Sequence, residues 1–96
     1  MVSWGPMNAL KQRVAGAVDR FGDELTALSH RIHAHPELAF EEARASGWLC
    51  EFLDTRGFQV EPGVGGVGTA FRATLETGPG PTLAILCEYD ALPGVG

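Results

Sequence analysis

The apolar run Thr82-Leu83-Ala84-Ile85-Leu86-Cys87 constrains the fold of this chain more than any other segment. It has the length of a strand, and it is apolar at consecutive positions, as expected for a central strand covered on both faces. The run leads straight into Glu88-Tyr89-Asp90-Ala91-Leu92-Pro93 and then Gly94-Val95-Gly96, so two carboxylates fall at its C-terminal end. In open α/β sheets that edge is where ligands and catalytic groups collect, because its loops can be shaped without disturbing the core.

The segments before the run set its context. Met1 to Pro6 reads as a loose leader, and we divide the chain into a leader over 1–10 and a domain portion over 11–96. Val14, Val18, Phe21, Leu25, Leu28 and Ile32 recur at spacings of four and three, which places them on one face of an amphipathic helix running to about Ala34. Gly22 and Asp23 are expected to loosen its middle, and the His35-Pro36 step to end it. Ala45, Trp48, Leu49, Phe52 and Leu53 form the buried stripe of a second helix, with Arg56-Gly57 as its stop. Phe58 to Glu61 reads as a short strand, Pro62 to Gly68 as a glycine-rich connection and Thr69 to Thr77 as an alternating strand. Gly78-Pro79-Gly80-Pro81 makes a turn before the apolar run. Two helices followed by three strands are the opening of a three-layer α/β/α domain, left incomplete here.

Composition narrows the function classes. Seven basic against twelve acidic residues give a net charge of -5, spread without runs of either sign, so there is no footprint for nucleic acid or an acidic lipid surface. Apolar stretches fall well short of the roughly 20 residues of a membrane span, and the basic start of a signal peptide is missing. The expected compartment is the cytoplasm. Cys50 and Cys87 are the only cysteines, without a CxxC pattern, and read as reduced, buried thiols.

Several residues invite a chemical reading. Gly63-Val64-Gly65-Gly66-Val67-Gly68 resembles a phosphate cradle only superficially, because strand-like sequence follows it where a nucleotide loop would open a helix. Glu41, Glu42 and Arg44 stand near the start of the second helix, where acidic groups complement its dipole, and we read them as capping charges. His30, His33 and His35 are dense, and the first two could share a helix face as metal ligands, yet no third partner completes a site, so we read them as solvated or capping groups. Glu88 and Asp90 lie two apart, on the same side of an extended chain. Spacing alone leaves two readings open: exposed loop acids, or a pair that holds a metal or orients a ligand of one.

Two motifs carry a resemblance. Arg31-Ile32-His33-Ala34-His35-Pro36-Glu37-Leu38-Ala39-Phe40-Glu41-Glu42 and Cys87-Glu88-Tyr89-Asp90-Ala91-Leu92-Pro93-Gly94 resemble the N-terminal part of the aminoacylase and carboxypeptidase family of co-catalytic zinc peptidases. The resemblance runs from about Leu25 to Gly96 and points to the amidohydrolase branch, on its dipeptidase and aminobenzoyl-glutamate hydrolase side.

This resemblance implies hydrolysis of a dipeptide or N-acyl amino acid at a centre of two divalent ions, zinc or manganese, in a protein that dimerises through a lid domain. Asp90 matches the family aspartate that supports the metal centre by orienting a ligand. Glu88 stands where classical members carry a metal-binding histidine, a departure from them. In the amidohydrolase branch, ligands come from a downstream His-Ala-Cys-Gly-His segment, so no metal ligand is expected within this chain. The three histidines match a structural signature between the first two helices, with Pro36 and Glu37 shaping the turn. The chain is thus expected to be an N-terminal portion, inactive alone. The alternative is a non-catalytic remnant or interaction module that pairs with a separate C-terminal part.

Overall fold

The computed structural model describes residues 5–95. The chain divides into two compact units, Met1–Arg31 and Ile32–Gly96. Helix α1 spans Gly5–Ala34 without a break, so the segment expected to be a loose leader is helical from Gly5 onward, while Met1–Trp4 lie outside the described residues. Gly22 and Asp23 sit within uninterrupted helix. The stripe foreseen along α1 is present as a helix face, but Val14, Val18, Phe21 and Leu25 on it are exposed.

In the second unit, the His35 N–H still donates to the Ile32 carbonyl, after which Pro36 ends the helical path. A turn over Leu38 to Glu41 follows, closed by a 2.9 Å bond from the Glu41 N–H to the Leu38 carbonyl. Phe40 occupies its third position with φ of 67°, a left-handed conformation that costs a side-chain-bearing residue on the order of 1 kcal/mol or more. Helix α2 then runs over Ala43–Asp54. Its first turn holds the most buried residues, Ala45 at 1% exposure and Ser46 at 7%. Trp48, Leu49, Phe52 and Leu53 are half-buried, and α2 packs on both strands of the hairpin that follows. The helix stops as the sequence suggests. Phe58 N–H reaches back to the Leu53 carbonyl and Gly57 N–H to that of Asp54, around Gly57 at φ of 90°.

Strand β1 is Gln59–Pro62 and strand β2 is Phe71–Thr74, paired antiparallel with Gln59 opposite Thr74 and Pro62 opposite Phe71. Both differ from expectation for a physical reason. Phe58 spends its N–H on the helix stop, so the ladder opens one residue later, and β2 ends at Thr74 because β1 offers nothing beyond Gln59 to pair with. The glycine-rich link bends through a single 3-10 turn, Val64–Gly66, and a 2.7 Å bond from the Gly63 N–H to the Ala70 carbonyl closes it. Across the strands Arg72 meets Glu61 at 2.6 Å, an exposed pair worth about 0–1 kcal/mol.

The third strand expected over Leu83 to Cys87 is not formed. The sheet has two strands, and the run carries no strand hydrogen bonding. Leu83, Ile85 and Leu86 are 89%, 88% and 96% exposed. A strand exists only through its partners, and among the described residues none lies beside this one. The described architecture is therefore mixed α/β, with one helix on a two-stranded antiparallel sheet, and the three layers are not assembled within it.

An uncovered apolar run of this kind drives association. The isolated chain is expected to bind a hydrophobic dye and sediment as oligomers, and Leu83→Lys with Ile85→Lys to shift it toward monomer. A wild-type chain that sediments as a dye-negative monomer would contradict this.

Candidate functional site

The site is built from three short segments of the second unit. The first is the turn after α1, the second the start of α2, and the third residues 87–91. Although no strand forms at 82–87, the alternation expected further along is present. Glu88 and Asp90 are exposed, while Tyr89 and Ala91 between and after them are half-buried. Ala91 forms an isolated parallel bridge with Leu38, and its N–H donates to the Glu37 carbonyl at 2.6 Å.

Tyr89 is the anchor that sequence reading did not single out. Its ring stacks on Phe71 of β2, with centroids 5.9 Å apart and 25° between planes, and its hydroxyl donates to the Thr69 carbonyl. Burial pushes the Tyr89 hydroxyl pKa upward, and the nearby Glu42 charge adds to this, so the group is held as a neutral donor. Thr69 in turn donates its side-chain hydroxyl to Glu42 Oε1 at 3.2 Å. Helix α2, the hairpin and the 87–91 segment are thereby joined around one aromatic ring.

Glu42 and Glu37 exchange the roles their positions suggest. Glu42 stands at the N-cap of α2 but makes no capping bond with its side chain. The carboxylate that caps is Glu37, whose Oε1 accepts the Ala45 N–H at 2.9 Å and whose Oε2 accepts the Arg44 N–H at 3.0 Å. These bonds, the Ala45 one first, hold the Glu37 carboxyl below its ordinary pKa against an opposing desolvation, with smaller help from the Arg44 and His35 charges. A carboxylate on the first amides of a helix was legible only as a glutamate shortly before an apolar-periodic segment.

A shallow hollow of about 380 Å³ opens beside this framework. Phe40, Glu42, Thr69, Cys87, Glu88 and Asp90 are among the residues that line it. The two acids picked out by spacing are thus brought to one concave surface, with Cys87 exposed beside them. Phe40, held in its left-handed turn, is 77% exposed there.

The histidines are not part of it. His30 and His33 are exposed on α1, and His35 meets Trp48 edge-on at 5.4 Å, a packing contact at the helix end. Among the described residues no group of three or more histidine, cysteine or acidic side chains converges on one point. Glu88 and Asp90 by themselves do not make up a divalent-ion centre of ordinary coordination number. Of the two thiols expected to be buried, Cys50 is half-buried in α2 and Cys87 is exposed, because the run that carries it is left uncovered; the two are not paired with each other.

No family model matches the chain. Individual relatives do. The chain is 42% identical to the Xaa-Arg dipeptidase of Mus musculus, with 94% of this chain aligned to 23% of the relative. It is 34% identical to the B chain of the p-aminobenzoyl-glutamate hydrolase of Escherichia coli, over 93% of this chain and 18% of that protein. It is 31% identical to thermostable carboxypeptidase 1 of Saccharolobus solfataricus, over 88% of this chain and 21% of that protein. The chain belongs to the aminoacylase and carboxypeptidase family. It spans about a fifth of the length of these relatives. Among the described residues, no helix is long and apolar enough to cross a membrane.

Two measurements test this geometry, both in the Leu83→Lys, Ile85→Lys background to limit association. Tyr89→Phe removes the hydroxyl bond and keeps the ring contact, so urea unfolding should show a loss of about 1 kcal/mol, while Tyr89→Ala should cost more. The Glu37 pKa is depressed in the fold, so its contribution is complete above the usual carboxylate range and fades as pH falls through the folded value. The stability gap between wild type and Glu37→Gln should therefore be constant near neutrality and close as pH falls below the usual carboxylate range. A gap that persists unchanged to the lowest pH would exclude the ionised carboxylate as the capping group.

Proposed function

We propose that the chain is the N-terminal portion of a cytoplasmic amidohydrolase or dipeptidase that cleaves the amide bond of a dipeptide or N-acyl amino acid. The observation that carries this reading is the 42% identity that extends over 94% of the chain to a protein named as a dipeptidase. The other relatives are named as a carboxypeptidase and an aminobenzoyl-glutamate hydrolase, which again describes amide cleavage.

In this proposal the centre contains two divalent ions, zinc or manganese, whose ligands lie outside the present residues. When bound, such ions supply Lewis acidity and an activated water. The part played by this chain is positional. Asp90 projects from the 87–91 segment into the hollow and orients a metal ligand by accepting its hydrogen bond, and Glu88 beside it adds negative charge. Tyr89 keeps both acids turned outward by occupying the inner side. The 96-residue chain alone is inactive in this reading, and the whole protein is a homodimer formed through a lid domain.

The test compares the 96-residue chain with a polypeptide expressed from the same reading frame continued past Gly96, on a panel of dipeptides and N-acyl amino acids, with metal content measured on both. The longer protein alone is expected to carry about two metals and hydrolyse the panel. Asp90→Asn in it should lower metal affinity by about 10–100-fold, the range seen when an orienting partner is lost. A stop codon directly after Gly96, or full activity of the short chain, would overturn the proposal. The first result would favour a non-catalytic remnant or interaction module.

A further inference from the structure

Glu37 is bonded on two sides at once. Its carboxylate takes two amides in the first turn of α2, and its main-chain carbonyl takes the Ala91 amide, one residue beyond Asp90. The Leu38–Ala91 bridge adjoins the same point. A main-chain carbonyl is only as well placed as its residue, and Glu37 lies in the irregular stretch between two helices, where no ladder fixes it. The grip of its side chain on α2 is what places that carbonyl.

We propose that Glu37 is a positioning residue for the candidate site: by binding α2 with its carboxylate and Ala91 with its carbonyl, it sets where Glu88 and Asp90 stand in the hollow. This goes beyond capping. A cap stabilises its own helix, whereas here the capping bonds also hold the segment that carries the two acids. Tyr89 supplies the second fixed point, so Asp90 lies between two tethered neighbours, Tyr89 on the hairpin and Ala91 on Glu37. A tether on one side alone would leave the backbone at Asp90 free to turn. The inference rests on the reading of Asp90 as a supporting residue, and the experiment separates the two.

In the full-length protein, hydrogen exchange is followed by mass spectrometry on peptides covering 87–92 and 43–47, alongside steady-state kinetics, for Glu37→Ala, Glu37→Gln and Asp90→Asn. Glu37→Ala removes both side-chain acceptors. Exchange over 87–92 should rise by about tenfold, the consequence of losing two charge-assisted bonds each worth more than a neutral one. The same variant should lower kcat with KM little changed, because the acids remain present but misplaced. Glu37→Gln keeps the size and one acceptor, so it should recover part of both effects, and it serves as the informative variant where the alanine form does not fold. If exchange rises at 43–47 alone and 87–92 stays protected, Glu37 is only a helix cap and the positioning role is overturned. If Asp90→Asn keeps wild-type kcat, the supporting role of Asp90 fails first, and the positioning role falls with it. If Asp90→Asn is impaired while Glu37→Ala and Glu37→Gln are not, the positioning role alone is refuted.

Discussion

The second unit depends on how the first turn of α2 finds acceptors for its amides. Every helix begins with N–H groups that have no partner within the helix, and here the N-cap Glu42 offers its side chain elsewhere. Glu37 fills the gap from seven and eight residues upstream, which folds the connection between α1 and α2 back onto the helix start. Once that connection is held, its carbonyls are in place to meet Ala91, and the turn through Phe40 is forced into a left-handed conformation to complete the return. The strained residue and the two-sided glutamate are thus consequences of one requirement.

The same logic explains why the acids are presented without a sheet. A central strand would ordinarily carry them to its end, yet the run before them makes no ladder and its leucines and isoleucine face solvent. Residues 88–91 keep a period of two because Tyr89 is drawn inward by Phe71 and Thr69, and Ala91 by Glu37. Two anchors on alternate residues impose on this short stretch what pairing imposes on a strand. The local framework therefore does not require the rest of a sheet to exist in outline.

What was legible in the sequence follows from the range of the forces involved. Helix α2, its Gly57 stop and the hairpin were readable because apolar period and turn chemistry act over a few residues. Boundaries moved where a neighbour competed for a donor, as when Phe58 gave its N–H to Leu53 instead of the ladder. The strand at Leu83 to Cys87 was read from its composition, which reports what the segment requires for burial and not whether a partner is at hand. At the site, the spacing of Glu88 and Asp90 gave their common exposure, whereas the roles of Tyr89 and Glu37 arise from contacts across 20 and 54 positions and leave no local pattern.

The assignment to the aminoacylase and carboxypeptidase family gives this division of labour a physical sense. Groups that must be positioned to a fraction of an ångström are best tied by short, directional bonds, and those around Asp90 are of this kind: a carboxylate on helix amides, a hydroxyl on a carbonyl and an amide on a carbonyl. Apolar surfaces are non-directional and tolerate being completed by whatever covers them. The exposed face of α1 and the exposed run at 82–87 are surfaces of that second sort. Their covering would add stability, but the geometry at Asp90 is set by bonds already made within residues 37–91.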